Sequence, residues 1–292
     1  MLLIVRRSFI LLLSTTLQGC MPPSHSKERI RVQQLVKVTD SATITDVRLW
    51  SSSLDATLRY RVIVPNHEPP ERLPVLYLLH GANSGPEEIM ERSDVVHLAS
   101  VEHLIVVMPE ADNSYYTNAQ HLRHARWEDA ITADMTHDVI THFPAQQGRQ
   151  HAGISGISMG GYGAIKLTLK HPDLYSFTGV LSGSLDITQR PPSLRRWSQT
   201  MRIRSIFGYL ASTRQSEDVF NLLNHYPSQN DVKWFASCGE NDPLKPVNLR
   251  FVKQLNEHGV PIKETITPGG HDWQSWNTAM PQLFQTASES LH

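Results

Sequence analysis

Gly156-Ile157-Ser158-Met159-Gly160-Gly161-Tyr162-Gly163 is the stretch that decides how this chain folds. The pattern G-x-S-x-G belongs to a tight turn that leaves a strand and enters a helix, with glycines where backbones pass too closely for side chains. Its surroundings fit that reading: His151 to Ile154 before it reads as a strand, and Gly160 to Lys170 after it as a helix. Such a turn lifts the Ser158 hydroxyl out at the carboxyl edge of a sheet, beside a helix N-terminus whose dipole favours developing negative charge. Ser158 is therefore a candidate nucleophile.

On either side of this turn, short apolar runs alternate with segments of helical character. Pro74 to Leu79, Leu104 to Met108, Phe177 to Leu181, Val232 to Ser237 and Ile262 to Thr267 read as strands. Continuous apolar runs of this length are buried on both faces, which is the habit of parallel strands. Pro86 to Ser100, Glu128 to Phe143, Pro246 to His258 and Gln274 to Leu291 read as the intervening helices. Thr43 to Trp50 and Thr57 to Val64 form a strand pair across a polar turn. The fold class expected is α/β, a mostly parallel central sheet with an antiparallel N-terminal hairpin and helices on both faces. Ser184 to Asp231, with several arginines and two adjacent prolines, reads either as an insertion over the site or as surface packing.

A serine hydroxyl is a poor nucleophile without a positioned base, and the base needs an acid behind it. Of fifteen histidines, His271 is preferred. It lies in Pro268-Gly269-Gly270-His271-Asp272-Trp273, between the last strand and the last helix, where a loop can carry an imidazole over the sheet edge. His171 and His258 sit at helix ends and read as caps. His121 and His124 have no convincing third ligand, so no metal is assigned to them. Asp242, in Cys238-Gly239-Glu240-Asn241-Asp242 just past a strand, is the candidate acid, with Glu240 as the alternative; Asp272 points away from its neighbour His271. The two backbone donors for an oxyanion are expected at Met159, the residue after the nucleophile, and at Ala82, in the loop His80-Gly81-Ala82-Asn83-Ser84-Gly85. Tyr115, Tyr116, Trp273 and Trp276 are candidate pocket aromatics, core packing being the bland reading of each.

Four separated segments then align with one family: Leu78-Leu79-His80-Gly81, Val106-Val107-Met108-Pro109 with Tyr115-Tyr116-Thr117, Gly156 to Tyr162, and Gly270 to Trp276. Together they resemble the esterase family of the α/β-hydrolase fold that includes tributyrin esterases, S-formylglutathione hydrolase, feruloyl and acetylxylan esterases and the antigen 85 mycolyltransferases. The resemblance covers about residues 43 to 290. It implies a serine carboxylic-ester hydrolase with Ser158, Asp242 and His271 as triad, the amides of Ala82 and Met159 as oxyanion hole, and no cofactor. The expected substrate is a small-molecule or glycan ester with a short acyl group, acetyl and feruloyl among them. An acyltransferase to an envelope glycan or lipid would use the same triad, and a catalytically silent binding module is the third reading. The departures are the N-terminal segment and Ser184 to Asp231, where no family motif is found.

Arg6 and Arg7 precede the apolar run Ser8 to Leu17, and Leu17-Gln18-Gly19-Cys20 resembles the lipobox of bacterial lipoproteins. The run is far shorter than the roughly 20 residues a spanning helix needs. The expected organisation is a signal peptide over 1–19, a lipid on Cys20, a polar tether over 20–41 and a catalytic domain over 42–292, which places the protein outside the cytoplasm on a membrane. The other cysteine, Cys238, reads as a small buried residue. A formal charge of −1 and a pI near 7.0 give no bias of the whole chain toward nucleic acid. The sequence does not fix the oligomeric state.

Overall fold

All five residues of the strand Val75–Leu79 are buried, and the rest of the molecule is arranged around them. The computed structural model describes residues 31–66, 72–227 and 231–292, with the side chain of Arg196 excepted. Nine strands form one sheet: β1 (Arg31–Val38), β2 (Ala42–Ser51), β3 (Ala56–Pro65), β4 (Val75–Leu79), β5 (Ile105–Glu110), β6 (Ala152–Ile157), β7 (Phe177–Leu181), β8 (Lys233–Gly239) and β9 (Ile262–Thr267). Their order is β1-β2-β3-β5-β4-β6-β7-β8-β9. The first three strands and the β3–β5 pair are antiparallel, and every pair from β5–β4 to β8–β9 is parallel.

Strand side chains alternate between two cores, as period-two geometry demands. Tyr60, Val62, Tyr77, Leu79 and Val107 face one cluster. Ile63, Leu76, Leu78, Val106 and Met108 face the other. The second face is covered by α1 (Pro86–Arg92), α2 (Val95–Val101) and α10 (Trp273–Leu291). The first is covered by α3 (Trp127–Asp129) and α4 (Thr136–His142), joined through a π-helical turn at Ala130–Met135, and by α5 (Met159–Lys170) and α9 (Lys245–Glu257). The segment after β7 adds α6 (Trp197–Phe207), α7 (Ala211–Gln215) and α8 (Val219–Leu223) to this side.

Two expectations need correction. The tether expected over 20–41 does not extend that far, because Arg31–Val38 is a strand paired antiparallel with β2. Its residues are almost all exposed, so no core face gives it a periodic pattern; Arg31 ties it down by donating to Asp138 at 2.7 Å. The helix expected over Pro86 to Ser100 is two helices, parted at Ser93, whose backbone is extended and whose hydroxyl donates to the Ile89 carbonyl. The signal peptide and Cys20 lie outside the described residues. No helix among the described residues is long and apolar enough to cross a membrane.

Candidate active site

The turn between β6 and α5 has the geometry its glycines imply. Ser158 sits at φ 57°, ψ −109°, a left-handed conformation that costs a residue with a side chain free energy and persists only where the surroundings enforce it. A Cβ on Gly156 would collide with the Gly160 backbone, and one on Gly160 with the Leu79 carbonyl. With both positions bare, α5 packs close against β6 and β4, and the Ser158 side chain is left partly open to solvent.

His271 and Asp242 converge on it from two further loops. The Ser158 hydroxyl lies 2.9 Å from His271 Nε2, and His271 Nδ1 lies 2.9 Å from Asp242 Oδ2. The loops after β8 and β9 are laced together, with Glu240 N–H donating to the Thr267 carbonyl at 2.8 Å and Asn241 N–H to Gly269 at 3.0 Å. Asp242 is buried, and burial pushes its carboxyl up. The donors His271, Ser182 and the Leu244 amide outweigh this and hold it below the usual carboxylate range. Glu240 contributes only its backbone to this lacing. Asp272 caps α10, accepting from Ser275 N–H at 3.0 Å. His258 bonds the Gln254 carbonyl as a helix-end residue does, while His171 bonds Glu128 at 3.0 Å.

The loop after β4 lies directly against the nucleophile, since a Cβ on Gly81 would stand 3.6 Å from Ser158 Cβ. Met159 opens α5, where its N–H has no partner within the helix, and Ala82 follows Gly81 in the exposed loop. That loop is fixed from two sides. The buried His80 ring accepts from Ala111 N–H at 3.0 Å, and Asn83 and Asn113 exchange two bonds of 2.6 Å.

The aromatics divide. Trp276 stands edge-on to the His271 ring at 5.3 Å, and Trp273 edge-on to Trp276 at 5.2 Å. Each indole N–H is pinned: Trp276 donates to Ser182 Oγ at 3.1 Å, Trp273 to Glu88 at 3.1 Å. Tyr116 does not line a pocket. It is fully buried, with its hydroxyl donating to the His80 carbonyl at 2.9 Å, so it supports the loop after β4 from below. Tyr115 is buried against Tyr162 and Phe207.

Two residues that sequence reasoning passed over support the site. Ser182, at φ 53° just past β7, accepts from the Trp276 indole and helps hold the Asp242 carboxyl down; its place at a strand's carboxyl end was the available signal. Lys166, fully buried in α5, donates to the Tyr116 carbonyl, Thr117 Oγ1 and Glu128. A lysine between Ile165 and Leu167, amid the apolar residues of the helix after the elbow, was the signal there.

A serine partly open to solvent on a strained elbow, an imidazole between it and a buried carboxylate, and a fixed loop beside them define a serine ester hydrolase of the α/β-hydrolase fold. The profile of the family described as "Putative esterase" matches residues 51–287, and the chain belongs to that family. An acetyl esterase of Caldicellulosiruptor saccharolyticus is 26% identical over 264 residues, 84% of this chain and 98% of that protein. The fluorophosphonate-binding serine hydrolase F of Staphylococcus aureus superposes with a TM-score of 0.75 at 25% identity, covering 85% of this chain and 99% of the other. A ferulic acid esterase superposes with a TM-score of 0.72 at 23% identity over 85% and 98% of the two chains.

Proposed function

We propose that this protein hydrolyses carboxylic esters with short acyl groups, acetyl foremost, through an acyl-enzyme on Ser158. The observation that carries this reading is the unbroken chain Ser158–His271–Asp242, with 2.9 Å at each link. Ser158 Oγ attacks the ester carbonyl while His271 Nε2 takes its proton. The tetrahedral oxyanion is held by the amides of Ala82 and Met159, and His271 returns the proton to the departing alcohol. Water, deprotonated by the same imidazole, then releases the acid. Asp242 holds the Nδ1–H tautomer and balances the imidazolium. The acetyl esterase relative supports a small acyl group, and the ferulic acid esterase keeps an aromatic acyl ester within the range to assay.

The experiment is hydrolysis of a chromogenic ester series from acetyl to octanoyl and feruloyl, with and without sugar acceptors, alongside fluorophosphonate labelling. Labelling of the parent but not of Ser158→Ala, with acetate released in water alone, is the expected result. Product formed only when acceptor is present would make the protein an acyltransferase, and a parent that never labels would make it a silent module.

The arginine-led apolar run and Leu17-Gln18-Gly19-Cys20 support export and lipidation of Cys20, with residues 1–19 removed. Metabolic labelling with a radioactive fatty acid, lost in Cys20→Ser, tests this. An unlabelled parent would refute it.

A further inference from the structure

Although the whole chain carries a formal charge of −1, the thirty residues from Ile187 to Ser216 contain six arginines and no acid. Arg190 is paired with Asp186 at 2.7 Å, and Arg214 donates to the carbonyls of Thr188, Gly208 and Tyr209. Arg195 and Arg202 are exposed with no carboxylate in ion-pair reach among the described residues. The loop 119–126 continues this surface. Its Gln120 and His121 amides donate to Ile206 and Ser205 at 2.9 and 3.0 Å, His121 lies against the Tyr209 ring at 5.1 Å, and Arg123 is exposed.

The same surface carries large apolar side chains. Leu194 is 87% exposed, Leu210 66%, Trp197 56%, and Leu122 and Tyr209 44% each. Single exposed leucines are ordinary, but four large apolar groups interleaved with arginines on one insertion, with Leu122 on the loop beside it, are not. Helix α6 buries Thr200, Ile206 and Phe207, while Gln199 and Arg202 are exposed.

We infer that this face, formed by 119–126 and 190–214, docks on the surface of an anionic bilayer. The arginines meet headgroup phosphates, and Leu122, Leu194, Trp197 and Leu210 enter the boundary between headgroups and acyl chains. An anionic glycan would use the arginines and could stack on Trp197, but it has no use for three exposed leucines; the combination selects lipid. A cavity of about 150 Å³ opens between the loop and α6, bordered by Leu122, Arg202 and Asn113. Because Asn113 also holds Asn83 of the oxyanion loop, docking brings the lipid surface to the border of the site. The inference rests on charge and exposure and is independent of the ester chemistry and of Cys20.

The test uses the chain from residue 21 on, which omits the apolar leader and Cys20 and keeps every described residue, sedimented with vesicles of phosphatidylglycerol mixed into phosphatidylcholine and with phosphatidylcholine alone. The parent is expected to sediment with the anionic vesicles only and to be released by salt. Arg123→Glu/Arg195→Glu and Leu194→Ser/Trp197→Ser are each expected to weaken binding by about tenfold or more, with unchanged melting temperatures. Equal binding to neutral vesicles, or unchanged binding of both variants, overturns the inference. Retention on polygalacturonate without binding to anionic vesicles overturns it as well, in favour of a glycan.

Discussion

The indole N–H of Trp276 donates to the hydroxyl of Ser182 at 3.1 Å, and that hydroxyl is among the groups that hold the Asp242 carboxyl below its usual range. Trp276 also stands edge-on to the His271 ring, so one tryptophan touches both the imidazole and the serine that acts on Asp242. Ser182 is fully buried and held in a left-handed conformation by the chain around it, which fixes where its hydroxyl points.

Ser182→Ala is expected to lower kcat by about tenfold, the scale of one hydrogen bond to a charged group, with KM little changed. Trp276→Phe should do the same, and the double variant should lose little more than either single one, because both act through one connection. Fully additive losses, measured in a double-mutant cycle, would mean that the two residues act separately.

Asp242→Asn is expected to cost about 10⁴ in kcat by favouring the wrong imidazole tautomer, while Glu240→Gln stays near the parent. Steady-state kinetics on an acetyl ester decides between them. A silent Asp242→Asn with a crippled Glu240→Gln would reassign the acid.

Asn113→Ala removes both bonds that hold Asn83, a residue at φ 58° in the loop carrying Ala82. The expected result is a fall of about 10- to 100-fold in kcat with KM steady, bounded by the 10²–10³ that outright loss of an oxyanion donor costs. Parental kcat would show that the loop holds its shape without the clamp.

Glu128 supplies a stability prediction. Burial raises its carboxyl, but Lys166, His171 and Lys170 together hold it well below the carboxylate range. A carboxyl depressed in the folded state stabilises the protein above its unfolded pKa of about 4.3. That contribution is lost as pH falls from there toward the folded value. Urea unfolding should therefore show parental stability declining below about pH 4.5, with a shallower decline in Glu128→Gln. At neutral pH the variant should be weaker by about 3–5 kcal/mol, because it leaves Lys166 with half its charge partners in a buried site. Identical slopes would place the acid sensitivity elsewhere.

The parts of the molecule that were readable from sequence are those where local chemistry leaves little choice. The elbow around Ser158 needs its glycines, the parallel strands must be apolar on both faces, and the His271 loop must follow the last strand. β1 was missed because Val32, Leu35, Val36 and Val38 face solvent, so no burial pattern marks them as a strand. Tyr116 was misplaced, and Ser182 and Glu88 were missed, for a different reason. Their roles depend on partners 36, 94 and 185 residues away in the chain, and nothing in the local sequence records those meetings. The insertion after β7 showed its arginines but not which of them reach solvent.

Arg31 reaches from the edge strand to Asp138, whose side chain is only 5% exposed and is also bonded by the Tyr60 hydroxyl. A recombinant fragment started at residue 42, trimmed to remove a leader, would strip the arginine and leave that carboxylate to Tyr60 and His142 among the described residues. Preparations meant for assay are better begun ahead of residue 31, because a domain boundary drawn from family likeness alone discards part of what keeps the sheet's outer margin in order.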